Sequence, residues 1–149
     1  MVKNKIINIF IAFISLIIVS CVGKVPVTIG NYTDCPEEPN CVSTKNSYSK
    51  AYIEPIRYLG SRVEAKKLLL LTLKNLESSK VKNQKENFIY VEFVSKIFGF
   101  VDDVEFYFNK PGIIDFRSAS RIGYSDLGVN RNRMESVRNK FNNLAKSDN

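Results

Sequence analysis

The sequence contains no histidine. This absence excludes the Ser-His-Asp and Cys-His arrangements that activate a nucleophile, and it excludes zinc or haem held by imidazole. Cysteine is scarce, with three residues, and the chain has no internal repeats. A chain of 149 residues with 44% hydrophobic and 25% charged side chains has the composition of one ordinary globular domain. We therefore expect one domain with neither a metal nor another cofactor.

The positive charge of the chain is modest. There are 22 basic and 15 acidic side chains, and most of the excess comes from lysines scattered between Lys66 and Lys96. A nucleic-acid-binding protein would instead show a basic stripe with interleaved aromatic side chains. We expect a solvated face here and no nucleic-acid partner.

The first twenty residues have the pattern of an export signal. Lys3 and Lys5 precede a nearly uninterrupted apolar run over residues 6–19. As a helix this run would be about 21 Å long, which is short for a bilayer core of roughly 30 Å. A charged start, a short apolar run and a small residue before the break are typical of a secretory signal. We predict a lipoprotein signal peptide over residues 1–20, with an uncleaved N-terminal anchor as the open alternative.

The end of this signal reads Ile18-Val19-Ser20-Cys21, which resembles the lipobox of bacterial lipoproteins. The resemblance implies that the Cys21 thiol carries the lipid and that Cys21 becomes the new N-terminus. Acyl chains such as palmitate add roughly 0.8 kcal/mol per buried CH₂, so two or three of them hold a small domain on a membrane. We predict a membrane-anchored protein of the bacterial cell envelope that faces the periplasm or the exterior. Residues 21–33 would then be a tether.

Two further cysteines, Cys35 and Cys41, close a short segment that contains two prolines. Outside the cytoplasm, an even pair of cysteines favours a structural disulfide. A redox couple or a metal site are the alternatives. The five-residue gap differs from the Cys-x-x-Cys of oxidoreductases, and two thiols without histidine make a poor zinc site.

The helices are marked by their caps and apolar stripes. Ser61 followed by Glu64 is a capping-box pattern, and apolar residues follow it with helical spacing. The last element is predicted to begin at Asn130 as the N-cap and to carry an apolar stripe through Met134 to Leu144. Residues 42–58 are predicted to form a loop with one short strand, and residues 78–86 a charged linker.

Strands are predicted at 88–94, 104–108 and 113–120, from their β-branched and aromatic residues or their alternation. The apolar residues of the last two strands lie on one face of the sheet only if the residue numbers of each cross-strand pair add up to an even number. This parity predicts a three-residue loop, 110–112, with Phe106 opposite Phe116 and Glu105 opposite Arg117. The same register places Phe108 opposite Ile114. The order of elements predicts an α+β domain over residues 34–146, with a small antiparallel sheet of three or more strands packed against two helices.

The segment from 100 to 138 holds the candidate functional residues. The candidates for a polar or anion-binding site are Arg117, Ser118, Ser120, Arg121, Asp126, Asn130, Arg131 and Arg133, with Asp102, Asp103 and Glu105 as supporting acids. In the first hypothesis these residues hold the fold together through pairs such as Arg117 with Glu105, because arginine pairs well with carboxylates.

The second hypothesis is an anion pocket, in which Arg121, Arg131 and Arg133 hold a ligand near the start of the last helix, with Ser118 and Ser120 as further donors. The third is an enzyme in which Asp102 and Asp103 act as acid and base or bind a cation with Asp126. Adjacent residues of a strand point to opposite faces, which argues against the third hypothesis.

Three motifs carry a resemblance to a known family. They are Cys-Pro-x-x-Pro-Asn-Cys-Val-Ser at 35–43, Phe-Val-Asp-Asp-Val-Glu-Phe at 100–106, and Arg-Ser-Ala-Ser-Arg-Ile-Gly-Tyr-Ser-Asp-Leu-Gly-Val-Asn-Arg at 117–131. Together they resemble domain-of-unknown-function family 1499 of bacteria and plastids, over roughly 34–144. The resemblance implies domain boundaries and a candidate surface, and it implies no particular reaction.

The function expected from the sequence is therefore coarse. We expect a lipid-anchored binding or structural module of the envelope, with the membrane and a small anionic ligand as partners, and the sequence does not name a protein partner. The alternative is a hydrolase or transferase that acts on an anionic envelope metabolite.

Overall fold

One antiparallel sheet and two helices make up the fold in the computed structural model, which describes residues 23–147. The elements are β1 (Cys41–Ser43), β2 (Ile56–Arg57), α1 (Arg62–Lys74), β3 (Ser79–Lys85), β4 (Phe88–Val94), β5 (Val101–Lys110), β6 (Ile113–Ser120) and α2 (Val129–Ser147). The sheet order is β1-β6-β5-β4-β3, and β2 also pairs with β6. The predicted α+β fold is confirmed. The predicted signal peptide and the lipidation site Cys21 lie outside the described residues.

The two helices cover one face of the sheet. Alternate side chains of the central strands, among them Val104, Phe106 and Phe116, form one apolar core with residues of both helices such as Leu69 and Met134. These side chains are almost completely buried. Neither helix within residues 23–147 is long and apolar enough to cross a membrane.

The start of α1 is as predicted. Ser61 is the N-cap; its side chain accepts a hydrogen bond from the Glu64 amide, and the Glu64 carboxylate accepts one from the Ser61 amide. The start of α2 differs from the prediction, because Asn130 lies inside the helix and is fully buried. The Asp126 carboxylate takes the capping role by accepting hydrogen bonds from the amides of Gly128 and Asn130.

The segment predicted to be a charged linker contains an edge strand. Residues 79–85 form β3, which pairs with β4 along its length and has a register shift between Val81 and Asn83. Its side chains are mostly exposed, so no apolar alternation marks it in the sequence. Lysines on an edge strand discourage pairing with another chain, which explains the polar composition. The 42–58 region likewise holds two short strand pieces where one was expected.

The β5–β6 hairpin has the predicted register from Asp102 to Tyr107 and a different turn, and the predicted pairing of Phe108 with Ile114 is wrong because Phe108 lies in a register irregularity. Phe106 pairs with Phe116 and Glu105 pairs with Arg117, as expected. However, Lys110 pairs with Ile113, so Pro111 and Gly112 form a two-residue turn, and the predicted three-residue loop is wrong. Between the Tyr107–Asp115 pair and the Lys110–Ile113 pair, β5 has one more residue than β6, as in a β-bulge. Beyond this irregularity, away from the turn, the residue numbers of paired positions add up to an even number.

Candidate functional site

The candidate polar residues are divided between the two faces of the sheet. Asp102 lies on the helix-covered face with Val104 and Phe106, whereas Asp103 and Glu105 lie on the opposite face, because successive residues of a strand alternate. Asp102 pairs with Arg133, and Asp103 pairs with Arg121. The two adjacent aspartates therefore have separate partners and cannot act together on one substrate or cation.

On the helix-covered face, Asn130 joins several backbone and side-chain groups. The Ser118 hydroxyl donates to its side-chain oxygen, and its side-chain nitrogen donates to the Ser120 hydroxyl at 3.0 Å and to the Asn40 carbonyl at 3.1 Å. Arg133 donates to the same Asn130 oxygen and lies 4.9 Å over the Phe93 ring. Removing Asn130 would leave several buried polar groups without partners, so this cluster holds α2 against the end of the sheet.

On the opposite face, Arg121 is surrounded by hydrogen-bond acceptors. Its Nη2 donates to Asp103 Oδ1 at 2.5 Å and to Glu92 Oε1 at 2.7 Å, and its Nε donates to Asp103 Oδ2 at 3.0 Å. The Asp103 carboxylate is the main cause that raises the pKa of Arg121 above its ordinary value. Burial and the hydrogen bond to Asp103 raise the pKa of Tyr90. Arg121 is therefore engaged in pairs with acids of β4 and β5, the kind of arginine–carboxylate pairing that the first hypothesis describes.

Glu105 lies in the centre of this face and is completely buried. Its Oε2 accepts hydrogen bonds from the Tyr107 hydroxyl at 2.5 Å and from the Gly30 amide at 2.6 Å, and its Oε1 lies 3.7 Å from Arg117 Nη1. Glu105 Oε1 and Arg117 Nε have no hydrogen-bond partner among the described residues. The pair expected from the sequence is therefore present, as an ion pair longer than a direct hydrogen bond.

The chain before the disulfide covers this second face. We call residues 23–34 the strap. Ile29 and Tyr32 pack against Phe88, Tyr90 and Tyr107, and the Tyr32 amide donates to the Tyr107 hydroxyl at 3.0 Å. Burial raises the pKa of Tyr32 to about 12, and its hydroxyl bonds to the Thr44 hydroxyl. The segment predicted to be a tether thus contacts the sheet in the part that the structure describes.

The disulfide fixes the end of the strap to the sheet. Cys35 and Cys41 are bonded, as predicted, and Cys41 begins β1. The loop that they close forms one wall of a cleft of about 650 Å³, and the other walls are formed by residues 49–51 and by Ser125, Asp126, Gly128 and Arg131. Of the candidate residues, Asp126 and Arg131 line this cleft. Arg131 Nη2 donates to the Lys50 carbonyl at 3.3 Å, which joins two of the walls.

The charges that line the cleft are mixed. Lys50 and Arg131 contribute positive charge, while Glu37, Glu38 and Asp126 contribute negative charge. Burial raises the pKa of Asp126, but the hydrogen bonds from the amides of Asn130 and Gly128 outweigh it and hold the pKa below its usual value. This carboxylate already occupies the amides at the start of α2. Within residues 23–147, no group of three or more Cys, Asp or Glu side chains is arranged to hold a metal ion.

The three arginines of the anion-pocket hypothesis do not converge. Arg121 pairs with acids on the strap-covered face, Arg133 pairs with Asp102 beside α2, and Arg131 lies in the cleft. Ser118 is buried, and both Ser118 and Ser120 are bonded to Asn130. The sequence reasoning did not select Lys50, Glu37 and Glu38 as site residues. The available signal for Glu37 and Glu38 was their position between two prolines in a loop closed by two cysteines, and no sequence signal marked Lys50.

The Tyr90 and Glu92 side chains were also missed. Both alternate with the buried Ile89, Val91 and Phe93 along β4, so they lie on the strap-covered face. The alternation of this strand was the available signal, because polar residues between core positions must point to the other face.

Comparison with known proteins gives a family without an assigned activity. A family model described as a protein of unknown function, DUF1499, matches residues 31–141. No curated protein and no solved structure matches the chain. The matched residues include the disulfide, the whole sheet and most of α2. The chain therefore belongs to the DUF1499 family of proteins of unknown function.

Proposed function

We propose that this chain is a lipid-anchored protein of the bacterial cell envelope, and that its domain is a binding module for a small polar ligand. The acyl chains are attached at Cys21, and the ligand lies in the cleft between the disulfide loop and the start of α2. The observation that carries the proposal is the position of the disulfide, because Cys35–Cys41 closes the loop that forms one wall of the cleft.

The disulfide supports export independently of the N-terminal pattern. Structural disulfides persist in oxidising compartments outside the cytoplasm. A signal-like run that ends at a lipobox cysteine and a domain closed by a disulfide both indicate the envelope.

The lining of the cleft favours a ligand that carries both charges. Lys50 and Arg131 lie on adjacent walls and provide donors for a carboxylate or phosphate, whereas Glu37 and Glu38 on the disulfide loop provide acceptors for an amine. An amino acid or a short peptide has this combination. A purely anionic ligand would meet three carboxylates, including the Asp126 group that caps α2.

Binding is favoured over catalysis because the acids that a reaction would use are engaged elsewhere. Asp102 and Asp103 face opposite sides of the sheet, and each is paired with an arginine. Neither lines the cleft.

The anchor is tested by growing a bacterial host with an alkyne fatty acid and measuring the label on the full chain. We expect label and membrane association for the wild type, and loss of both for Cys21→Ser. The matched control is the double variant Cys35→Ser/Cys41→Ser, which should keep the label. An unlabelled wild-type chain with an intact Met1 terminus in the cytosol would overturn the anchor.

The cleft is tested by thermal unfolding of the purified full chain in detergent. The probes are glutamate, alanyl-alanine, N-acetylglucosamine and inorganic phosphate. A ligand at one hundred times its Kd adds about 2.7 kcal/mol to stability. We expect alanyl-alanine or glutamate to raise Tm in the wild type and not in Arg131→Ala, while the exposed control Lys67→Ala responds normally. If no probe changes Tm, or if Arg131→Ala responds like the wild type, the binding proposal fails.

A further inference from the structure

Apolar side chains are concentrated in the loop between β4 and β5. Ile97 is 86% exposed and Phe98 is 67% exposed, and the rings of Phe98 and Phe100 lie 5.7 Å apart. The loop is ordered by hydrogen bonds, since the Ser95 amide donates to the Phe100 carbonyl at 2.8 Å and the Phe100 amide donates to the Ser95 hydroxyl. A fixed loop that presents several large apolar side chains to water requires an explanation, because single exposed residues are normal and contiguous groups are not.

The loop between β6 and α2 presents a second group of this kind. Tyr124 is 73% exposed and Leu127 is 91% exposed. Leu127 has a φ of +53°, a conformation that is unfavourable for a leucine. Hydrogen bonds to Ser125 and Asp126 hold this turn, so the backbone keeps the Leu127 side chain directed into solvent at a cost in strain.

Both loops leave the same end of the sheet. Asp102 pairs with Ser120, and the Arg121 amide donates to the Val101 carbonyl at 3.0 Å. The start of β5 and the end of β6 are therefore neighbours, and the two loops continue outward from that point. The hairpin turns at the opposite end, Glu86–Asn87 and Pro111–Gly112, carry no large apolar side chain.

The described chain begins at this same end. A Cβ on Gly23 would lie 2.9 Å from both Arg121 Cγ and Ile122 Cγ2, so Gly23 abuts the β6–α2 loop. Cys21 is two residues earlier, and two residues of extended chain span no more than about 7 Å. A lipid on Cys21 would therefore emerge beside the apolar loops. Lys24 is exposed next to Gly23 and would lie near the headgroups, where a positive charge is attracted to anionic lipid.

We infer that this end of the sheet is a membrane-docking surface, formed by the exposed apolar side chains of Ile97, Phe98, Phe100, Tyr124 and Leu127, which rests against the bilayer that holds the lipid anchor. The inference depends on the proposed lipidation of Cys21. The domain then lies on the membrane in one orientation, with Ile97, Phe98 and Leu127 at the boundary between headgroups and acyl chains. The lipid supplies the attachment, and the apolar loops fix the orientation.

The absence of tryptophan from the chain allows a direct test. Two variants of the full lipidated protein, Phe98→Trp and Tyr124→Trp, each place one fluorophore in a docking loop. The matched control is Leu59→Trp, which replaces an apolar side chain that is 95% exposed and lies next to Tyr58, whose amide bonds to Gly112 at the opposite end. Each protein is reconstituted in phosphatidylethanolamine and phosphatidylglycerol vesicles, with and without acyl chains brominated near the headgroup.

Docking predicts a blue-shifted emission that falls by about half with brominated lipid for Phe98→Trp and Tyr124→Trp, because interfacial side chains enter roughly 5–10 Å into the boundary region. Leu59→Trp should show neither effect. If all three proteins float with the vesicles and none is quenched, or if Leu59→Trp is quenched equally, docking is wrong while the anchor stands. If the proteins carry no lipid and do not float, both the anchor and the docking surface are wrong.

Discussion

The two faces of the sheet are buried by different means. The helix-covered face is closed by apolar side chains from β4, β5, β6 and both helices. The strap-covered face carries Glu92, Asp103, Glu105, Arg117 and Arg121, and the strap lies over it. The first face depends on apolar area and close packing, whereas the second depends on each charge having its partner. Substitutions on the two faces should therefore lower the stability of the protein for different reasons.

The largest effect is expected in the apolar core. Phe106 is completely buried and lies against Phe116, with ring centroids 6.2 Å apart. Phe106→Ala should lower the free energy of unfolding by about 3–5 kcal/mol, because it removes buried apolar area and leaves a cavity. Urea denaturation measures the change, and Phe106→Leu is the control with a smaller expected loss. A loss below about 1 kcal/mol for the alanine variant would contradict the assignment of this face as the core.

The next effect is expected in the Arg121 cluster on the strap-covered face. Asp103→Asn keeps the shape of the side chain but removes the charge that faces Arg121 and Tyr90. We expect a loss of about 1.5–3 kcal/mol, the range for a hydrogen bond to a charged group. The exposed pair Arg62–Glu86 provides the control, since Glu86→Gln should change stability by less than about 1 kcal/mol. Equal effects of the two variants in urea denaturation would show that the buried cluster is not structural.

The cap of α2 gives a prediction about pH. The folded pKa of Asp126 is lowered, so its contribution to stability is complete above the unfolded value of about 4 and is lost as the pH falls through the lowered folded value. Asp126→Ala should destabilise the protein by about 1–2 kcal/mol at pH 7. The difference in stability between this variant and the wild type should shrink as the pH falls from 5 to 2, and the urea midpoints of the two proteins measure it. A difference that is constant with pH would contradict the capping role.

The smallest effect is expected at the strap. Tyr32→Phe keeps the ring contact with Tyr107, at 4.6 Å between centroids, and removes the hydroxyl that bonds to Thr44. We expect a loss of about 0.5–1.5 kcal/mol in thermal unfolding, the usual contribution of one hydrogen bond. Tyr48→Phe, at an almost fully exposed tyrosine, is the control and should be neutral. If both variants are neutral, the hydrogen bond between the Tyr32 and Thr44 hydroxyls does not contribute to the stability of this face.

The helix-covered face was largely predictable from the sequence. The rows that contain Phe106 and Phe116 alternate with polar residues, and parity correctly excluded the registers in which these rows lie on opposite faces. The predicted three-residue turn was wrong because a bulge near Tyr107 allows a two-residue turn with the same parity. The edge strand β3 was missed because its state depends on backbone hydrogen bonds to β4, which leave no pattern in exposed side chains.

The cover of the second face was not predictable, because the strap and the side chains that it contacts are distant in the sequence. The Gly30 amide and its acceptor Glu105 are 75 residues apart, and the strap has neither helical nor strand periodicity to mark it. Composition selected Asp102, Arg121, Arg131 and Arg133 as candidate site residues. It could not show that they serve three separate places, since that depends on which face of each element they occupy.

The claim that the strap closes the second face is tested most directly by hydrogen exchange at the amides of Gly30 and Tyr32. Both amides donate to side chains of β5, namely Glu105 Oε2 and the Tyr107 hydroxyl. The account predicts that these amides exchange many-fold more slowly than in an unfolded peptide and regain the peptide rate when the sheet unfolds in urea. Exchange at the peptide rate in the native protein would show that residues 23–34 are a free tether and would contradict the account.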